Sequence, residues 1–169
     1  MSPGACHHEA VDAELVEIRD FLAAEVPYDQ VHPAVLAKLP AKLTVRYLRR
    51  GNRLLGFGDT TDEVYVVRSG AIDIHDQDGV LRDRRAAGAT HGAGYVLDGS
   101  PRRHTATTIE DTLLLVFPGD VFRELCRNNP LVADYFHDHH GQDQYLKHEV
   151  VSETRGVLRD PGAMGEGAV

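Results

Sequence analysis

The chain has 169 residues, a 42% hydrophobic content and a formal net charge of −8, which suits one globular domain able to bury a real core. No apolar run nears the roughly 20 residues of a membrane span, and the start Met1-Ser2-Pro3-Gly4-Ala5-Cys6-His7-His8 has neither the basic nor the apolar region of an export signal, so a cytoplasmic protein with no membrane partner is expected. The acidic balance excludes a domain that gains its affinity by neutralising a phosphate backbone, so no nucleic-acid partner is expected.

Residues 1–13 show no periodicity and read as a disordered lead-in to a domain over 14–151. From Glu14 to Val26, Leu15, Ile18, Leu22 and Val26 share one helical face that ends at Pro27. A shorter helix is expected from Pro33 to Leu39, with proline tolerated at its first position and Pro40 as its stop. The pattern then changes to short strands: Leu43 to Leu48, Arg53 to Phe57, Val64 to Arg68, Ala71 to His75, Val80 to Ala86, His104 to Glu110 and Thr112 to Phe117. Turn signals separate them at Arg50-Gly51-Asn52, Gly58-Asp59, Ser69-Gly70, Gln77-Asp78-Gly79 and Glu110-Asp111. Strands this short and closely spaced indicate an all-β sandwich, jelly roll or barrel rather than a parallel α/β sheet.

Helical patterning returns after Pro118. Asp120 is a plausible N-cap, Phe122 and Leu125 or Cys126 face inward, and Asn128-Asn129-Pro130 stop one helix and start the next. Leu131, Val132, Tyr135, Phe136, His139, Leu146 and Val150 trace a stripe along a last helix to about Val151, with a break or kink expected near Gly141. Cys126 reads as a small buried thiol. Residues 152–169, with Asp160-Pro161-Gly162 and several glycines, read as a flexible tail or linker.

The stretch Thr90 to Ala106 organises the functional reading. Amides freed by Gly92 and Gly94 can line a concave surface, and a helix starting there favours an anion at its N-terminus. Arg103 would complete a phosphate cradle. Arg102 is expected to face solvent, a shift of one residue exchanging the two. Asp98 offers a carboxylate to the ligand, caps the turn itself or pairs with Arg102 or Arg103.

Gly58-Asp59, the run Val64-Tyr65-Val66-Val67-Arg68-Ser69-Gly70-Ala71-Ile72, the loop Gly92 to Ala106 and Pro118-Gly119-Asp120-Val121-Phe122 together resemble the cyclic-nucleotide-binding domain of catabolite-activator type, over about Ile18 to Lys147. The fold this resemblance implies is mainly β with flanking α-helices, an eight-stranded jelly roll or double-stranded β-helix. Ile18-Arg19-Asp20-Phe21-Leu22 and Gly99-Ser100-Pro101 are most similar to N-terminal modules of bacterial proteins that also carry CBS-pair and nucleotidyltransferase-like domains. Downstream domains of those kinds, in a longer protein, are therefore expected.

The resemblance also implies a phosphate cassette. In the family a glutamate after Phe-Gly accepts from the ribose 2'-hydroxyl, and an arginine beyond the turn pairs with the cyclic phosphate, with Ser/Thr-Ala close behind. Here Gly92 matches the glycine and Arg103 falls on the arginine. Thr105 and Ala106 follow one residue late with His104 between, Ala93 stands in place of the glutamate, and His91 replaces an apolar aromatic. The expected site is Gly92, Ala93, Gly94, Arg102, Arg103, His104 and Thr105. A ribose hydroxyl left unpaired in a closed site loses about 1 to 3 kcal/mol, or about 5- to 150-fold in affinity.

Other chemistries find less support. His137-Asp138-His139-His140 and His148 have helical spacing for one ion but no surrounding metalloprotease motif, and no metal site is expected. A cupin-type metal centre needs His-x-His on barrel strands, where His75 and His104 stand isolated. Ser69, Ser100 and the cysteines have no base partner that spacing identifies, so no enzyme is expected. The reading is a regulatory module that senses a small anionic ligand, such as cAMP, cGMP or another phosphate-bearing molecule, and signals through its C-terminal helix. The alternative is a ligand-independent scaffold that dimerises or docks through Leu131, Val132, Tyr135, Phe136 and Leu146. The residues from 152 to 169 are few and glycine-rich, so no helix-turn-helix is expected in them.

Overall fold

The computed structural model describes the backbone of residues 5–138 and the side chains of residues 11–138. The chain divides into a unit Met1–Phe136 and a second, His137–Val169, and the architecture below is that of the first. The expectations for the tail 152–169, for a break near Gly141 and for His139, His140, Leu146, His148 and Val150 lie outside the described residues.

Eight strands form two antiparallel sheets: β1 (Thr44–Leu48), β2 (Arg53–Leu55), β3 (Glu63–Ser69), β4 (Ala71–His75), β5 (Leu81–Ala86), β6 (Thr90–His91), β7 (Thr105–Thr108) and β8 (Thr112–Pro118). One sheet runs in the order β1-β8-β3-β6 and the other β2-β7-β4-β5. The expected jelly roll with flanking helices is therefore present. Tyr65, Val67, Leu114 and Val116 meet Leu55, Ile72, Ile74 and Ala106 between the sheets. The alternate residues Val64, Val66, Leu115 and Phe117 face the other way, into a helical layer with Ile18, Leu22, Leu36, Phe122, Val132 and Phe136. Burial on both faces is why β3 and β8 read as continuous apolar runs while β5, at a sheet edge, is mostly charged.

Helix α1 spans Ala5–Ala23. It thus begins well before Glu14 and corrects the expectation of an irregular lead-in. Ala10, Ala13, Glu9 and Glu14 favour helix intrinsically, but residues 11–14 are exposed, so no apolar face marks the start. Helix α2 is the single turn Pro33–Leu36, where the His32 ring Nδ1 caps the Ala34 amide at 3.1 Å. Helix α3 (Ala93–Asp98) lies between β6 and β7, and α4 (Gly119–Asn128) follows β8. Cys126 is buried in α4, and burial pushes its pKa up to about 11. No helix among the described residues is long and apolar enough to cross a membrane.

Residues 130–136 are helical. Val132 and Phe136 are buried in the chain's own core, Phe136 with its ring centroid 5.3 Å from Phe122 and 6.3 Å from Tyr28. Leu131 is 62% exposed. The stripe expected to serve a partner is to that extent corrected: two of its members complete the fold they belong to.

Candidate functional site

The turn from β6 into α3 is set by Gly92, the N-cap of α3, at φ 95°. Only glycine adopts this left-handed region without strain. A Cβ here would also run into the Arg102 guanidinium. The close approach carries a hydrogen bond, with Arg102 Nη1 donating to the Gly92 carbonyl at 3.2 Å.

Arg102 is the inward arginine, which corrects the expectation that it faces solvent. Pairing of Ile74 with Ala106 and of Ile72 with Thr108 places Ala106 and Thr108 on the inner face of their sheet. Carried back two residues at a time, that alternation gives His104 and then Arg102. Arg102 is 2% exposed and Arg103 is exposed. The expected pairing of Arg103 with the Gly92 turn is therefore not formed by its side chain, which has no hydrogen bond or ion pair among the described residues. Only its amide is engaged, donating to the Tyr95 hydroxyl at 3.4 Å.

The Arg102 guanidinium is held by oxygen atoms of the backbone. Besides Gly92, its Nη2 donates to the carbonyls of Thr61 at 3.1 Å and Glu63 at 2.6 Å. Its own backbone is locked to the β2–β3 loop, with Arg102 N donating to Asp59 O at 2.8 Å and Gly58 N to Arg102 O at 2.7 Å. The Tyr95 ring covers it at 5.0 Å, and the Tyr95 hydroxyl and His104 Nδ1 are hydrogen bonded at 2.9 Å. No carboxylate forms an ion pair with Arg102 among the described residues. Burial lowers its pKa from the ordinary guanidinium value, against the raising pull of Tyr65, Tyr95, Glu63 and Asp59.

Next to the guanidinium, Glu63 accepts from both Arg46 terminal nitrogens at 3.2 Å each and from the Tyr65 hydroxyl at 2.6 Å. Burial raises the Glu63 pKa, but these bonds together with the charges of Arg46 and Arg102 outweigh it and hold the carboxyl below its usual range. Sequence reasoning passed over Glu63. Its only signal is a carboxylate opening the run Val64 to Val67, two positions before a tyrosine on the same strand face.

Residues 61–63 are gripped from two sides. Thr61 and Glu63 offer their carbonyls to Arg102, while Asp62 accepts Gly119 N at 2.8 Å and takes Arg123 on its carboxylate at 2.7 and 2.8 Å. Upstream of the cassette, the buried Tyr28 hydroxyl is hydrogen bonded to Thr90 Oγ1 at 2.8 Å.

The remaining expected residues are placed as follows. Ala93 is buried and packs with Val96 in the helical core. Gly94 is half-buried in the first turn of α3, and Thr105 is half-buried on β7 opposite His75. Asp98 Oδ1 accepts from Ser100 N at 2.9 Å and Ser100 Oγ at 2.6 Å, so of the roles expected of it the turn-forming one is present. His91 is buried on β6.

The family model for the cyclic nucleotide-binding domain matches residues 45–129, half of the chain. No curated protein matches in sequence. Among solved structures, cAMP-bound PfPKA-R (141–441) is similar with a TM-score of 0.75 at 16% identity, over 83% of this chain and 49% of that one. The guanosine-bound regulatory subunit of a cAMP-independent protein kinase A from Trypanosoma cruzi gives 0.68 at 15% identity, over 83% and 52%. The catabolite activator protein of Thermus thermophilus gives 0.61 at 22% identity, over 78% and 63%. The chain thus spans about half the length of the first two structures, and the likeness to all three is one of fold.

Proposed function

Because this chain belongs to the cyclic nucleotide-binding domain family, whose modules regulate rather than catalyse, we propose that it is a ligand-sensing module that takes a small phosphate-bearing anion, cAMP or cGMP among the candidates, against Arg102. One observation carries this reading. Arg102 is a buried cation whose hydrogen-bond partners are neutral carbonyls. A buried charge without a counter-charge is costly, and an arriving anion relieves that cost while gaining charge-assisted hydrogen bonds. The first amides of a helix have no intrahelical acceptor, so the start of α3 at Ala93 and Gly94 offers further donors beside the same turn.

The nucleoside half of the ligand is read differently from the family pattern, since Ala93 supplies no acceptor for a ribose hydroxyl. Solved structures of this fold hold cAMP in one case and guanosine in another, which makes nucleotides the first ligands to try. Occupancy passes to the closing helix. Tyr28 supports that route, bonded to Thr90 at the cassette strand and set 6.3 Å, ring to ring, from Phe136. The signal acts by favouring one of two helix positions to which the ligand has different affinity. In a longer protein, CBS-pair or nucleotidyltransferase-like domains would receive it.

Isothermal titration with cAMP, cGMP and linear nucleotides tests the proposal. Heat is expected with at least one of them and is abolished in Arg102→Gln. Silence with every nucleotide at millimolar concentration would refute it.

A further inference from the structure

The two sheets end in β1, β6, β2 and β5. β2 and β6 are only three and two residues long. β5 is longer, but Arg82, Arg84 and Arg85 form ion pairs with Asp76, Asp73 and Asp83 along it, and a register shift interrupts its pairing with β4. Charges and irregularities of this kind blunt a sheet edge. β1 is different. It pairs with β8 in unbroken register over Thr44–Leu48, and on its other side none of its backbone groups is hydrogen bonded among the described residues. Val45 and Tyr47, opposite Leu115 and Leu113, are 46% and 55% exposed. Unpaired amides beside exposed apolar side chains are a template for another strand.

The charges around β1 select which strand. Residues 30–58 contain Lys38, Lys42, Arg46, Arg49, Arg50 and Arg53 and no carboxylate. Arg46 is paired with Glu63, whereas the side chains of the other five form no hydrogen bond or ion pair among the described residues. Asp111 accepts from the Tyr47 hydroxyl and the Arg50 amide, both at 2.9 Å, and Arg49 acts on it through space. Asp59 accepts from Gly56 N at 2.7 Å, and Glu110 is exposed. Five cations against these three carboxylates leave the margin of the edge positive by two. The acidic helix α1 packs on the turn Pro40–Lys42, yet none of its carboxylates pairs with Lys38 or Lys42. A second copy is a poor occupant: antiparallel pairing centred on Arg46 would set Tyr47 favourably against Val45, but Arg46 against Arg46 and Lys42 against Arg50.

We propose that β1 is a docking edge for an extended acidic segment of a partner protein, which adds to the β1-β8-β3-β6 sheet as a fifth strand. Its backbone meets the open side of Thr44–Leu48, its apolar residues lie beside Val45 and Tyr47, and its carboxylates reach Lys42 at one end and Arg49 and Arg50 at the other. This inference is independent of Arg102 and of any nucleotide.

The test uses the whole chain and a fluorescently labelled peptide, Asp-Glu-Val-Thr-Val-Thr-Val-Asp-Glu, with two controls: lysine in place of every acid, and N-methylation of every valine and threonine. Anisotropy at low salt is expected to show the acidic peptide binding about tenfold or more tighter than either control. Val45→Lys, and separately Arg49→Glu combined with Arg50→Glu, are expected to weaken it by about fivefold or more, while amide exchange over Thr44–Leu48 slows when the peptide is present. Equal binding of the lysine or N-methylated peptide, unchanged exchange in β1, or no binding of the acidic peptide at millimolar concentration overturns the inference. So does a dimer in sedimentation that Val45→Lys abolishes, which would assign the edge to a second copy. Binding of phosphatidylserine vesicles without binding of the peptide would assign it to a lipid surface and overturn the inference equally.

Discussion

Replacing Arg102 with methionine keeps an unbranched apolar stem while removing the guanidinium, its charge and its contact with the Tyr95 ring. The three bonds from the guanidinium to carbonyl oxygens are each worth about 1.5 to 3 kcal/mol for a charged donor. Opposing them is the cost of burying an ion that has no carboxylate partner, several kcal/mol. The difference leaves Arg102→Met less stable by only about 1 to 3 kcal/mol, well below the sum of the bonds. Ligand binding is affected far more. Removing the buried partner of a charged, hydrogen-bonded contact costs about 2 to 5 kcal/mol, or about 30-fold to several thousand-fold in Kd. Arg103→Met, altering an exposed side chain, should shift Kd by less than about fivefold, since exposed charges are worth less than about 1 kcal/mol. Urea denaturation and nucleotide titration of both variants make the comparison. Arg103→Met losing as much affinity as Arg102→Met, or Arg102→Met binding as the wild type does, would refute the assignment of the inward arginine.

Gly92→Ala combines a left-handed φ with a collision against the Arg102 guanidinium, whereas Gly58→Ala at φ 85° meets no atom within 4 Å. Chemical denaturation should find the Gly58 variant about 1 kcal/mol less stable, with the Gly92 variant lower still and impaired in nucleotide binding. Phe136→Asp places a charge beside Phe122 and Tyr28 and should cost more than about 3 kcal/mol, visible as loss of the cooperative melt. Leu131→Asp, at an exposed site, should stay within about 0.5 kcal/mol. In acid, hydrogen bonds from Arg123 and Arg84 lower the pKa of Asp62 and Asp73, and that of Glu63 is lowered despite the opposing effect of burial. The unfolded chain binds more protons at these sites between the two sets of pKa values, so stability is fully present above the unfolded values of about 4 and is lost as pH falls through the depressed ones. A flat melting temperature from pH 8 to about 5, then a decline, is the expected profile, and a decline beginning above pH 6 would contradict it.

The sandwich was readable because its central strands announce themselves. Glu63 to Ser69 and Thr112 to Pro118 are apolar on both faces and are closed by turn residues, so their existence and their ends within a residue or two follow from pattern alone. Strand β6, only Thr90–His91, is too short to have a period and emerges only from its pairing with Tyr65 and Val66. The first turns of α1 were missed because an exposed helical stretch carries no amphipathic signal. At the site, the Gly92 turn could be seen in the sequence but the inward arginine was placed one residue late. Motif spacing pointed to Arg103, whereas strand alternation, counted back from the small apolar Ala106, reaches Arg102. Nothing local in the sequence could pair Arg46 with Glu63, since that contact depends on β1 and β3 flanking β8 in one sheet.

The segment Thr61-Asp62-Glu63 has a consequence for how this chain can vary in length. Its carbonyls alternate between Arg102 on one side and Gly119 on the other, so one inserted residue would reverse which carbonyls point inward and detach the arginine and α4 together. The hairpin turn at Asp78-Gly79, where Gly79 has open space around it, can absorb additional residues without such reversal. Chains that share this fold should therefore differ freely in the length of the β4–β5 hairpin and hold the three-residue approach to β3 at constant length.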